Sequence, residues 1–158
     1  MLRGLSYQVA GASIIWRYVN EIDECLSRET HMIDDMGIFR TTIAVENPAR
    51  PGVTIEVESV MVDTGGEYTW LPRAVLEALG LSLTRTVRFI AADGRQIERA
   101  VCFGNVYAGG SSAPDILVFA DVGDMILLGA RGLEGMNLRI DMLAKQLVPA
   151  GPVPAAAA

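Results

Sequence analysis

The stretch SVMVDTGGEYTWLP, residues 59–72, decides how this chain is read. A mostly apolar run, Val60-Met61-Val62, leads directly into Asp63, Thr64, Gly65 and Gly66. An ionised carboxylate is costly to desolvate unless it is paired or its pKa shifts. Asp63 therefore either opens an ordinary polar turn, where Asp and Gly are common, or is held at the end of a buried strand for chemistry. A phosphate-binding loop at a helix start is a third option. The stretch contains neither Gly-x-x-x-x-Gly-Lys nor Gly-x-Gly-x-x-Gly, and the helix that follows is short, which argues against it.

Upstream of Asp63 the hydrophobic period is two. IFRTTIAVE alternates through Phe39, Thr41, Ile43 and Val45, and VTIEVESVMVD alternates through Val53, Ile55 and Val57. The intervening NPARPG is a turn, so the pair predicts two half-buried antiparallel strands. Downstream the period changes. In LPRAVLEALG, Leu71, Val75, Leu76 and Leu79 share one helical face, Pro72 suits the first turn and Gly80 suits the C-terminal cap.

Further on, RTVRFIAADGRQIERAVCFG reads as a hairpin around Asp93-Gly94. Strands are expected at NVYAGG, DILVFA and DMILLGA, a short helix after Arg131, and closing strands at LRIDM and AKQLVP. Many short strands with glycine turns predict a mainly β, barrel-like or sandwich-like domain with minor helix.

The ends differ from this middle. In SIIWRYVNEIDECL, Ile15, Tyr18, Val19, Ile22, Cys25 and Leu26 fall at helical spacing, with Ser13 as a cap. Residues 1–35 are therefore read as a helical extension, either a pro-segment or the product of an alternative start at Met36. Residues 36–149 form the domain, and residues 150–158, AGPVPAAAA, a free tail.

Composition removes several classes of function. The 158 residues carry 13 Lys and Arg against 19 Asp and Glu, a formal charge of −6. No basic run offers the face a nucleic acid requires. No segment approaches the ~18 consecutive apolar residues of a membrane span. Cys25 and Cys102 are too few for a disulfide framework and are expected to be free thiols in a reducing, cytoplasmic setting. With His31 as the single histidine and no Cys-x-x-Cys pair, no metal or cofactor site is expected. A Ser-His-Asp enzyme would need His31, which lies in a polar stretch outside the expected core.

Four elements in order carry a family resemblance: VMVDTGGEYTWLP, the AVLEALGL helix, the 88–99 hairpin and ILLGARGLEGMNLRID. Together they resemble retropepsin-like aspartic proteases, in particular the small bacterial single-domain members. The resemblance covers about residues 36–149. It implies a closed acid-protease β-barrel with one or two short helices, and a peptidase that needs no cofactor.

The roles implied are specific. Asp63 is the catalytic aspartate. Thr64, Gly65 and Gly66 support its loop. Ala92, Asp93, Gly94 and Arg95 form the flap tip over a polypeptide substrate, and Leu127, Leu128 and Gly129 are a second structural motif behind the loop. Gly66 departs from the family pattern, in which alanine, serine or threonine stands. The chain has one Asp-Thr-Gly, so the resemblance implies a homodimer with one Asp63 from each subunit, and strands near 36–45 and 143–148 at its interface. The competing expectation is a protease-like fold kept as a binding or assembly module.

Overall fold

The computed structural model describes residues 5–10, 13–18 and 37–155. Among the described residues, eleven strands and two short helices run in the order β1 (Leu5–Ala10), β2 (Ser13–Tyr18), β3 (Arg40–Glu46), β4 (Val53–Asp63), β5 (Thr69–Pro72), α1 (Arg73–Ala78), β6 (Arg85–Ile90), β7 (Gln96–Ala108), β8 (Ser111–Ala120), β9 (Leu127–Gly129), α2 (Ala130–Gly135), β10 (Leu138–Asp141) and β11 (Gln146–Pro149).

The two alternating runs upstream of Asp63 are the antiparallel pair β3–β4. Ile43 and Val45 on β3, and Ile55 and Val57 on β4, point into the main core. The NPARPG turn closes on an Arg50 N–H bond to the Asn47 carbonyl at 2.8 Å, with Gly52 at φ +86°. Glu46 stabilises this turn from below. Its buried carboxylate accepts from Asn105 Nδ2 (3.0 Å), the Gly52 N–H (2.7 Å) and the Tyr107 hydroxyl (2.7 Å). The Asn105 bond is the largest cause that holds its pKa below the usual value.

The simple alternation breaks before it reaches Asp63. Thr41 pairs with Val60 but Ile43 pairs with Val57, so β4 carries one extra residue against β3. Ser59 sits in the left-handed region at φ +58° and its carbonyl accepts from Arg40 Nη1 at 2.9 Å. This is a β-bulge, and one inserted residue exchanges the two faces of a strand. Val57 faces the core before it, and Val60 and Val62 face the core after it. Unbroken alternation would place Asp63 on the core face with Val57. The bulge turns it to the other face, where it is half-buried.

The strand pairings form a ring. β4 pairs β3, then β7, β8, β5 and β9 follow, and β9 returns to β4 in parallel. The closed ring encloses Leu71, Leu76, Leu117, Leu128 and the β3–β4 valines and isoleucines, and is the barrel expected for an acid-protease fold. β6 folds onto β7, and β10–β11 form a separate antiparallel pair. β7 runs unbroken through Cys102-Phe103-Gly104, joining what the sequence suggested were two strands. Cys102 is buried there and its thiol is pushed up to about 12 by desolvation, so it is inert as a nucleophile at neutral pH.

The helix after Pro72 forms as its period suggests. Leu71, Val75, Leu76 and Leu79 are all buried. It ends with the Gly80 N–H on the Glu77 carbonyl (2.9 Å) and the Leu81 N–H on the Leu76 carbonyl (2.9 Å), with Gly80 at φ +70°. That is the Schellman arrangement, which needs a left-handed residue at Gly80.

Two expectations at the ends are corrected. The helix read over residues 13–26 is, over Ser13–Tyr18, strand β2, antiparallel to β1 and parallel to β4 along Val53–Val57. Ile14, Ile15 and Trp16 are β-branched or aromatic, and the edge of β4 is there to pair with, so sheet pairing overrides a helical spacing. Residues 19–36, with Cys25 and His31, lie outside the described residues. The tail read as free from residue 150 is tied at its start. The Ala150 N–H donates to the Asn137 carbonyl (2.8 Å) and Asn137 Nδ2 donates to the Gly151 carbonyl (2.8 Å).

Candidate active site

Asp63 ends β4, and the chain turns immediately. The Gly65 N–H donates to Asp63 Oδ1 at 2.9 Å, and the Gly66 N–H to the Asp63 carbonyl at 3.3 Å. The loop also leaves little room for a side chain at either glycine. A Cβ on Gly65 would stand 3.3 Å from Oδ1, and one on Gly66 would stand 3.2 Å from Oδ2 and 3.4 Å from Leu127 Cδ1. The glycine at position 66 therefore leaves the second carboxylate oxygen open. Thr64 and Gly65 are exposed beside it.

The Leu127-Leu128-Gly129 strand lies directly alongside. Met61, Val62 and Asp63 pair in parallel with Leu127, Leu128 and Gly129. The first N–H groups of α2 then reach across the loop after Asp63: Ala130 N–H donates to the Gly66 carbonyl (2.7 Å) and Arg131 N–H to the Glu67 carbonyl (3.1 Å). A Cβ on Gly129 would fall 2.5 Å from the Tyr68 carbonyl carbon and oxygen, so only glycine permits this approach. The motif supports the loop from behind and brings no reacting group to it.

Beneath the loop lies a polar contact that sequence reasoning missed. The Gly129 N–H donates to Thr69 Oγ1 (3.1 Å), and that hydroxyl donates to Asp115 Oδ2 (2.6 Å). Asp115 Oδ1 accepts from the Ile116 N–H (2.7 Å). Thr69 is fully buried and Asp115 is 5% exposed. Burial pushes the Asp115 carboxyl up, against the hydrogen bonds from Thr69 and Ile116. The only signal in the sequence was an aspartate inside the strand run SSAPDILVFA, which reads more simply as a strand start.

The hairpin β6–β7 stands over a cleft of roughly 900 Å³. Its turn is closed by Gly94 N–H on the Ala91 carbonyl (2.8 Å) and Ala91 N–H on the Arg95 carbonyl (2.8 Å), with Gly94 at φ +83°. Asp93 binds Arg95 through both backbone (3.0 Å) and side chain (2.6 Å), and the Arg95 backbone bond is the largest cause of its lowered pKa. Of the four tip residues named from the sequence, Ala92 and Arg95 line the cleft; Asp93 and Gly94 lie at the turn outside its wall.

Opposite the hairpin, Gly65, Gly66, Glu67, Tyr68 and Trp70 line the same cleft. Tyr68 and Trp70 hold the hairpin through Phe89, at ring centroid distances of 5.8 and 4.9 Å. The third wall is the loop after β8, from Val122 to Met125. The cleft of one chain reaches the glycines that wrap the Asp63 carboxylate but does not enclose the carboxylate itself. Among the described residues no group of His, Cys, Asp and Glu side chains is placed to hold a metal ion.

A loop aspartate at a strand end, glycines around its carboxylate, a parallel Leu-Leu-Gly strand behind it and a hairpin-covered cleft define the aspartic-protease class of site. A comparison with known families agrees. A family profile described as aspartyl protease matches residues 49–131, more than half of the chain, and the chain belongs to that family. Among solved structures, the solution structure of the protease of simian foamy virus (mac) is similar, with 18% sequence identity, 60% of this chain and 92% of that chain covered, and a TM-score of 0.40. No curated protein matches.

Proposed function

We propose that the chain is an aspartic endopeptidase that works as a two-fold homodimer, with Asp63 of each subunit meeting at the axis. The observation that carries this reading is the placement of Asp63. A bulge turns it away from the core, a glycine N–H holds one oxygen, and the bare Gly66 leaves the other open. One Asp-Thr-Gly per chain supplies half a dyad, and a cleft that stops at Gly65 and Gly66 fits a half-site. Exposed apolar side chains at Ile38, Met142 and Leu143, in or next to the stretches 36–45 and 143–148, support an interface there.

In the dimer the two carboxylates share one proton, because close like charges resist double ionisation; this effect is well known for aspartic proteases. The ionised carboxylate takes a proton from water as the water oxygen attacks the peptide carbonyl. The protonated one donates to the carbonyl oxygen, giving a neutral tetrahedral diol. Collapse of the diol breaks the C–N bond. The amine leaves with a proton from one carboxyl, and a diol hydroxyl returns its proton to the other carboxylate. Thr64, exposed next to Asp63, holds the partner loop in this reading. The β6–β7 hairpin closes over the substrate and excludes water.

The test is cleavage of a denatured protein pool at mildly acidic pH by the wild type and by Asp63→Asn. The variant should lose on the order of 10²–10⁴-fold in rate while its melting temperature and dimer remain. Near-wild-type cleavage by the variant would remove the reading.

A further inference from the structure

One wall of the cleft carries an ion pair that the hydrolytic chemistry does not use. Arg99 projects from β7 just past the hairpin turn, and Asp124 from the loop after β8; both line the cleft. Arg99 Nε donates to Asp124 Oδ2 at 2.6 Å and Nη2 to Oδ1 at 3.0 Å. The pair is a fork-on-fork bidentate contact, the geometry in which a guanidinium binds a carboxylate most strongly. The two side chains are only 19% and 13% exposed. Neither is therefore one of the solvent-screened surface pairs that contribute little.

A second carboxylate and a second guanidinium complete the set. Asp121 Oδ2 lies 3.4 Å from Arg99 Nε, and Asp121 Oδ1 accepts from Arg73 Nη2 at 2.9 Å. Asp124 Oδ2 also accepts the Asp121 N–H at 2.8 Å, which fixes the loop that carries both acids. Burial alone would push the Asp124 carboxyl up, but Arg99 and the Asp121 N–H together hold it below its usual value. Arg99 and Asp124 thus cancel each other in the cleft wall, while Asp121 and Arg73, the latter also 3.9 Å from Glu77 Oε1, continue the network outside it. Val122, fully exposed, and Met125, largely so, line the cleft with Val87, Ile97 and Leu127. The other charged lining residues are also paired: Glu67 with Arg131, Arg88 with Glu98 and Arg95 with Asp93.

We propose that the Arg99–Asp124 pair sets which charge this end of the cleft accepts, so that the chain selects peptides with an uncharged side chain there and rejects acidic and basic ones. The inference rests on the reading of the cleft as a peptide site. An acidic side chain arriving here meets a guanidinium already occupied and two carboxylates at hand. A basic one meets the mirror situation. An uncharged side chain packs on Val122 and Met125 and disturbs no pair. Specificity of this kind comes from repulsion and unpaired charge as much as from attraction.

The experiment measures binding in the full-length Asp63→Asn chain, which does not depend on hydrolysis. Labelled peptide pools with Gln, Leu, Glu or Lys fixed at each position in turn are titrated by fluorescence anisotropy. In this background one position should favour Gln and Leu over both Glu and Lys. Adding Asp124→Asn removes the bidentate partner of Arg99, leaves it only the longer Asp121 contact, and should improve Glu over Gln at that position by about tenfold, the scale of one charge-assisted contact. Arg99→Gln should shift the preference toward Lys. The reversed pair, Arg99→Asp with Asp124→Arg, should restore the preference for uncharged side chains. Equal binding of Glu, Lys and Gln pools at every position would overturn the inference without any variant. So would Asp124→Asn, folded by its melting curve, keeping the original ranking. Either result leaves the hydrolytic reading standing, because that reading fails separately if the wild type shows no Asp63-dependent cleavage.

Discussion

Asp63 and Gly129 lie opposite each other across the parallel strands β4 and β9. The pairing fixes the Asp63 loop to the strand that follows the cleft wall, and it tolerates no side chain on the Gly129 side. Gly129→Ala would drive a methyl into the Tyr68 carbonyl group, 2.5 Å away. The substitution should cost about 3 kcal/mol or more and abolish cleavage even at temperatures where the chain stays folded. Thermal melting and a peptide assay on the same sample check both effects.

The bulge at Ser59 yields a sharper prediction, because it concerns orientation and not packing. Removing Ser59 deletes the extra residue and restores unbroken alternation from Val57 to Asp63. The Asp63 carboxyl would then face the core, so the deletion variant should be inactive and strongly destabilised. Ser59→Gly keeps the bulge and relieves a left-handed serine at φ +58°. It should be active and more stable by about 0.5–1 kcal/mol, the left-handed strain being partly offset by the entropy of glycine. A Ser59→Gly variant that melts well below the wild type would contradict the strain argument.

These two residues show what was legible in the sequence and what was not. β4 and α1 were readable because each states its own period, and Pro72 and Gly80 mark the ends of the helix. The single Asp-Thr-Gly pointed to the site for the same local reason. The bulge was hidden because serine is unremarkable in a strand and its left-handed backbone is imposed by the pairing with β3. Thr69 with Asp115, and Arg99 with Asp124, were hidden because the partners are 46 and 25 residues apart and meet only when the ring closes. At Ser13–Tyr18 local spacing was misleading, since Ile15, Tyr18 and Val19 fit a helix on paper while the open edge of β4 selects a strand.

The Asp115 carboxyl supplies a pH dependence with a definite sign. Burial raises its pKa in the folded chain above the ordinary value near 3.8. Its contribution to stability is therefore complete below the unfolded pKa and is lost as pH rises through the folded one. Melting temperatures measured from mildly acid to neutral pH should fall further for the wild type than for Asp115→Asn, which cannot ionise. Parallel curves for the two proteins would show that Asp115 does not titrate in that window.

Gly66 controls the environment of the open carboxylate oxygen. In Gly66→Ala the new methyl would stand 3.2 Å from Asp63 Oδ2. It crowds the oxygen that Gly66 leaves open, so cleavage should slow severalfold while the melting temperature stays close to that of the wild type. Unchanged cleavage would contradict a role for the bare Gly66 in keeping that oxygen accessible.

The central claim is that one active site is built from two chains. It is tested most directly by active-site titration with a tight-binding statine-type peptide, which mimics the tetrahedral diol. The account predicts an end point of one inhibitor per two chains, and no binding by a subunit held monomeric. An end point of one per chain, or tight binding to the monomer, would contradict it.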